Sequence, residues 1–304
     1  MKSHLLFALA AFASLSTSAH ADEFRILAWN VESNRPGQSP VSDSGVISEQ
    51  ISGLLHDPAT RAQIVALSEV EPKTVPVYKQ AVADGLETEV DFVTSASGGY
   101  RDADSLLLIV DAKRFAIEDV YEMHRYAGVS TNFNVMDEKS SDYGAVRARS
   151  PLVVKLRDKA SSSSRSFWLI VNHLARGEED LRVDQAKALK KWAEDHAGEP
   201  VITAGDFNFD FDFKTQKGNA AYDAMIEGGV WQWLKPDPLI DSNWADDRDN
   251  PRNDRYPDSI LDFIFVANDA KNWRGESDVI VREGDFPDSD RTSDHRPIVA
   301  TFVP

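Results

Sequence analysis

Cysteine is absent from all 304 residues, which leaves no disulfide framework and no lipid-attachment cysteine. Long apolar runs are nearly absent as well. The one at residues 5–15 follows Lys2, precedes Ala19-His20-Ala21, and is too short to span a bilayer. A positive start, an apolar middle and a small-x-small end read as an export signal over residues 1–21, with cleavage expected after Ala21. No later stretch provides a membrane span or a stable membrane anchor. Positive charge is scarce: 33 Lys and Arg face 50 Asp and Glu, for a net charge of −17. Removing residues 1–21, where Lys2 is the only charged side chain, makes it −18. Such a surface repels polyanions at long range, lacks a basic stripe for phosphate backbones, and suits a cation site. The expectation is a protein soluble in the periplasm or outside the cell, stabilised by its core alone. No internal repeat appears, no protein partner is implied, and residues 22–304 form a single domain.

Apolar stretches with turn signals between them set the outline. Residues 24–29, 64–67, 90–94, 105–110, 151–156, 167–171, 201–205, 260–266 and 297–302 read as strands, and 279–282 is a further candidate. Val46, Ile47, Ile51, Leu54 and Leu55 fall on one helical face. Residues 72–83 start another helix with proline in the first turn. The clearest helix is 178–196, striped by Leu181, Ala186, Leu189, Trp192 and Ala193. A short helix is expected at 220–226. Residues 115–148 show no clean period and read as a surface excursion, and 210–257 as mostly loop. Strands interleave with helices but also form hairpin-like pairs, so the fold class is α+β: a two-sheet sandwich with helices outside.

The polar residues sit where the apolar strands end. Asn30, Glu69, Asn172, His173, Asp206, Asn208, Asp294 and His295 each lie at or just past a strand terminus, where rigid scaffolds present chemistry. In residues 201–208, Val-Ile-Thr-Ala-Gly-Asp-Phe-Asn, the alternation of a strand brings Asp206 and Asn208 to one face. Gly205 removes a Cβ that would block close approach. Each residue alone also fits a turn or a satisfied core position; their recurrence is the signal.

Ala28-Trp29-Asn30-Val31, Leu67-Ser68-Glu69-Val70, Asn172-His173-Leu174, Gly205-Asp206-Phe207-Asn208, Leu261-Asp262-Phe263 and Ser293-Asp294-His295-Arg296-Pro297 appear in this order across residues 24–303. In that order and spacing the chain resembles the endonuclease/exonuclease/phosphatase superfamily of deoxyribonuclease-I-like phosphoesterases. The resemblance implies a four-layer α/β/β/α sandwich with its site at one edge of the sheets. It implies a divalent cation, magnesium first with manganese or calcium as alternatives, at Glu69, Asn30 (directly or through its partner) and Asp294. Asp206 and Asn208 would hold the phosphate or the attacking water. Asp262 would orient His295 for proton transfer, and His173 would bind a phosphate oxygen or protonate the leaving group, the acid and base roles remaining open. Arg149 resembles the arginine that faces the phosphate, with Arg147 as alternative, and Asn172 joins it as a phosphate contact. The family's Gln before the metal-site glutamate is Ser68 here, and Tyr143 is only a positional match to a tyrosine of the abasic-site enzymes.

The implied activity is secreted phosphodiester hydrolysis, most simply of nucleic acid. A phospholipid headgroup or small phosphoester is the alternative, with Val230-Trp231-Gln232-Trp233-Leu234 and Trp244 as candidate membrane-contact aromatics. A non-catalytic binding module is disfavoured because every named position keeps a competent residue.

Overall fold

In β1 (Phe24–Asn30), Phe24, Ile26 and Ala28 face one apolar cluster while Leu27 and Trp29 face another. A strand apolar on both sides needs cover on both sides, and that requirement generates the layers. The computed structural model describes residues 23–31, 42–95, 105–123, 125–126, 129–130, 150–160, 164–176, 178–212, 214–243, 259–283 and 291–304. Arg147, Arg149, Tyr143, Trp244 and residues 1–21 lie outside them.

The other strands are β2 (Ile64–Val70), β3 (Val90–Thr94), β4 (Ser105–Asp111), β5 (Phe115–Glu122), β6 (Arg125–Tyr126), β7 (Val129–Ser130), β8 (Leu152–Asp158), β9 (Ser166–His173), β10 (Val201–Phe211), β11 (Trp231–Trp233), β12 (Ile260–Ala267), β13 (Arg274–Val279) and β14 (Ile298–Val303). The helices are α1 (Ser44–His56), α2 (Val75–Leu86), α3 (Glu179–Asp195) and α4 (Ala220–Ile226). One six-stranded sheet runs β13-β14-β1-β2-β4-β3 and the other β11-β12-β10-β9-β8-β5. Each contains one parallel pair, β1 with β2 and β9 with β10, and each pair is connected through a helix, α1 or α3. Helices α1 and α2 cover the outer face of the first sheet, α3 and α4 that of the second. This is the expected α/β/β/α sandwich.

The inner layer has two different ends. At one, Phe24 stacks on Phe167 and Phe302 with ring centroids 5.2 and 5.3 Å apart, and Phe115 and Trp273 meet these rings edge-on. These rings close that end with apolar surface, each buried Phe contributing about 1.5–3 kcal/mol. At the other end the same strand faces finish in polar side chains.

Four sequence readings are corrected. The segment 115–148 is not wholly a surface excursion: β5 pairs antiparallel with β8, and its period was masked by the irregularity between Ile117 and Asp119 and by its exposed edge position. β11 lies within the stretch read as loop. The strand expected at 279–282 is instead β13, whose polar residues belong to a sheet edge. The helix expected from Pro72 begins as a 3₁₀ turn (Pro72–Thr74) and becomes α-helical at Val75, just before a second proline, Pro76.

Candidate active site

Alternation along four strands aims four polar residues into the inner layer. Asn30 follows Ile26 and Ala28, His173 follows Leu169 and Val171, Asp206 follows Ile202 and Ala204, and Asp262 precedes Ile264 and Val266. The two sheets therefore deliver one cluster. The register places Asp206 opposite His173 on β9 and opposite Asp262 on β12.

Glu69 reaches the cluster by another route. Regular alternation would send it outward with Val65 and Leu67. Leu67 pairs with Leu107 but Val70 with Ser105, so β2 carries one extra residue, and Glu69 has φ 58°. That bulge re-aims the carboxylate inward. A buried glutamate in the left-handed region is strained, and such strain gathers at functional sites.

Asn30 is the hub. Its Nδ2 donates to Glu69 Oε1 at 3.2 Å and Asp206 Oδ2 at 3.0 Å, and lies 3.4 Å from His295 Nε2. His173 Nε2 is 3.4 Å from Glu69 Oε1 and 3.3 Å from Asp206 Oδ2. His295 Nδ1 sits 2.8 Å from Asp262 Oδ2, and its Nε2 is 3.8 Å from Asp206 Oδ2 and 3.7 Å from Asp294 Oδ1. Glu69, Asp206, Asp262 and both histidines are buried; the Asp294 side chain is 25% exposed and opens the cluster to solvent.

Electrostatics follow from crowding acids in a dry place. Burial is the largest influence on Asp206 and would raise its pKa. The charges of His173 and His295, with hydrogen bonds from Asn30 and the Asn208 N–H, outweigh it and hold the carboxyl below the ordinary aspartate value. Asp262 goes the other way, pushed up by burial and by the neighbouring Asp206 charge against the pull of His295 and Ser242. Burial alone would lower His295, but Asp262, Asp294 and Asp206 together lift it to about 10.

The donor set fits a hard divalent cation. Carboxylate oxygens of Glu69 and Asp206 meet at one amide nitrogen, Asp294 lies beside His295, and among the described residues the counter-charge within the cluster comes from imidazoles. Asp206, Asp262 and His295 also offer ligand atoms within 4.8 Å of one another. However, Asp262 Oδ2 is already held by His295 and Ser242, so the oxygen-rich side towards Glu69 is the better seat.

Two residues behave differently from the sequence reading. Asn172 does not join the site: it belongs with Trp168 and Ile170 on the outer face, and its Nδ2 donates to the Ile170 carbonyl and to Thr203 Oγ1. It lies between strands because its neighbour His173 takes the inward position. Asn208 meets Asp206 through its backbone N–H, 2.9 Å from Oδ1, while its carboxamide donates to the Leu174 carbonyl at 3.1 Å. Gly205 is required by backbone rather than by ligand. At φ 130° a Cβ there would lie 2.2 Å from the Asn172 carbonyl oxygen.

Several supports have no periodic or motif signal in the chain. The Trp29 indole donates to the His295 carbonyl at 2.8 Å, and Ser293 Oγ bridges the Asn30 carbonyl and the His295 N–H. On α3, Arg182 and Gln185 are buried where the apolar stripe has Leu181 only half-buried, because they bind the Ala175 carbonyl and N–H at 2.8 and 2.9 Å. They anchor the chain two residues beyond His173.

No protein-family model and no curated protein sequence matches the chain. Solved structures do. An endonuclease/exonuclease/phosphatase family protein from Bacteroides thetaiotaomicron superposes with a TM-score of 0.65 at 17% identity, over 92% of this chain and 97% of that one. A mannosyl-6-phosphatase from the same organism gives 0.66 at 17%, over 92% and 100%. D. rerio TDP2 complexed with a single-strand DNA product gives 0.61 at 16%, over 92% and 98%. At these identities the likeness is one of fold.

Proposed function

We propose that this chain, which has the fold of the endonuclease/exonuclease/phosphatase proteins, is a divalent-metal-dependent phosphoesterase acting by in-line attack of water. The observation that carries the reading is the convergence of Asn30, Glu69, His173, Asp206, Asp294 and the Asp262–His295 pair at one end of the inner layer.

Glu69 and Asp294 would hold the cation, with Asn30 a ligand through its amide oxygen or a partner that orients Glu69, magnesium in the first instance with manganese and calcium as alternatives. When bound, the ion supplies positive charge to the phosphoryl oxygens. His295, held through Nδ1 by Asp262, presents Nε2 for proton transfer. A cation at Asp294 would offset one of the charges that lift its pKa, while Asp262, the largest of them, keeps its hold. His173 Nε2, between Glu69 and Asp206, is placed to bind a phosphoryl oxygen or protonate the leaving group. Asp206, its Oδ1 fixed by the Asn208 N–H, would orient the attacking water or the phosphate. Arg149 completes the proposal as the phosphate's cationic partner.

Nucleic acid is the first substrate of the reading, supported by the order of the site motifs and by the likeness to TDP2. A small phosphoester is the second, favoured by the net charge of −17, which opposes binding of a long polyanion. The phospholipid variant loses its main support. Trp231 is 2% exposed, and Trp233 packs on Phe211 and Phe263 with centroids 5.0 and 4.9 Å away. No helix among the described residues is long and apolar enough to cross a membrane. Export by the signal at residues 1–21 remains part of the proposal.

The test is hydrolysis of plasmid DNA, a sugar phosphate, sphingomyelin and a generic bis-phosphodiester with magnesium, manganese, calcium or chelator. Metal-dependent turnover of at least one is expected. Activity that survives chelation, or that persists in Asp206→Ala or His295→Ala, overturns the mechanism.

A further inference from the structure

Between β11 and β12 the segment Asp241-Ser242-Asn243 grips both elements that carry the proton-transfer pair. Arg296 N–H donates to the Ser242 carbonyl at 2.7 Å, and Arg296 Nη1 donates to the Asp241 carbonyl and Oδ2, both at 2.8 Å. Asn243 Nδ2 donates to the Asp294 carbonyl at 3.3 Å, and Asn243 bridges both Ser259 and His295.

At the centre of this grip the Ser242 hydroxyl has no freedom. Its oxygen accepts the N–H groups of Leu261 and Asp262, each at 3.0 Å, which occupy both of its lone pairs. Only its proton is left to give, and Asp262 Oδ2 lies 2.8 Å away. That oxygen also takes His295 Nδ1 at 2.8 Å. Asp262 Oδ1 is buried with no hydrogen-bond partner among the described residues. The carboxylate is thus fixed through one oxygen by two donors, and Ser242 is the only one of the two whose polarity is set independently of the histidine. With Asp262 ionised, Oδ2 only accepts, so Nδ1 carries the hydrogen between them and Nε2 is the nitrogen left to face Asp206 and Asp294.

We propose that Ser242 is a positioning residue for the reaction: its hydroxyl locks Asp262 and, through it, the orientation and tautomer of His295. The inference rests on the phosphoesterase reading for its kinetic consequence, but not for its geometry. A serine that merely capped the start of β12 would use its lone pairs alone, and the direction of its proton would be immaterial.

Ser242→Ala and Ser242→Thr should be compared with the parent, with Asp262→Asn and with Ser242→Ala/Asp262→Asn. Two readouts are needed: kcat and KM on the best phosphoester, and the downfield proton resonance of His295 Nδ1–H, identified by its loss in His295→Gln. Ser242→Ala should lower kcat by about 10-fold with KM nearly unchanged, and should shift the resonance. Added to Asp262→Asn it should cost nothing further, because the residue it acts through is already disabled. Ser242→Thr should restore kcat and the resonance; if its extra methyl unfolds the protein, the double-variant comparison decides. Parental kcat in Ser242→Ala, losses that multiply in full with those of Asp262→Asn, or an unmoved resonance would overturn the proposal. If the parent hydrolyses no phosphoester, the functional reading fails, and the resonance alone decides whether Ser242 holds the pair.

Discussion

Gly205 and the carbonyl oxygen of Asn172 approach so closely that a Cβ on residue 205 would lie 2.2 Å from that oxygen. The contact lies in the β9–β10 register that sets His173 opposite Asp206. Gly205→Ala must therefore push the two strands apart one residue short of the site. It should lower the melting temperature and cost more activity than stability alone explains. Activity measured well below the melting point separates the two effects; parental kcat in a folded Gly205→Ala would refute the account.

The hub position of Asn30 has a metal consequence. Asn30→Ala removes the donor shared by Glu69 and Asp206 and leaves two buried carboxylates in mutual repulsion. Magnesium affinity or activity should fall by about 10–100-fold, the range for residues that orient ligands. Glu69→Gln should weaken binding further. Isothermal titration with magnesium checks both, and unchanged binding in Glu69→Gln would move the cation elsewhere.

Proton transfer should depend on the buried pair. Loss of a positioned acid–base group costs about 10²–10⁴-fold, so Asp262→Ala and His295→Ala should each fall in that range. Their double variant should be little worse than either alone. Steady-state kinetics at saturating metal provides the comparison.

The metal-free protein should lose stability as pH rises. His295 has an ordinary value of 6.5 and is lifted to about 10 in the fold. Below 6.5 folded and unfolded chains both hold the proton; between there and about 10 only the folded chain does. The contribution is thus complete below pH 6.5 and lost on the way up through about 10. Asp206, held low, acts at the acid end, its contribution vanishing as pH falls below the ordinary aspartate range. Melting temperatures in chelator should drop between about pH 6 and 9.5, and His295→Gln should flatten that slope. A level profile in the parent would show that the three acids do not raise His295 as described.

The far end of the inner layer bears the stability. Phe24 packs on Phe167 and Phe302, away from Asn30 on the same strand. Phe24→Ala should cost about 3–5 kcal/mol by denaturant titration while leaving the KM of the surviving folded protein unchanged.

Much of this was legible in the chain because strand alternation is simple. Asn30, His173, Asp206 and Asp262 all extend an inward apolar series, so their meeting follows from four independent runs. The same rule applied to Glu69 would have sent it outward; a one-residue bulge corrects it, and nothing in Leu-Ser-Glu-Val announces a bulge. Asn172 was misread for the same reason in reverse, since a residue beside an inward histidine must face out. Gly205 was recognised as a close-approach residue, but the approaching group is a neighbouring strand, which only pairing register can tell. Ser242 had no periodic context at all. It lies in an acid-rich stretch of irregular backbone, and its importance comes from a contact 20 residues away.

The antiparallel pairing of β1 with β14 also orders events in time. β14 sits between β13 and β1, so the first sheet stays in two pieces until residues 298–303 arrive. Asp294 and His295 lie on the lead-in to that same strand. A chain emerging from its amino end can assemble the glutamate, the first histidine and Asp206 long before the second histidine exists. Closure of the sheet and completion of the Asp262–His295 pair therefore depend on the same last segment, and a partly made chain lacks both.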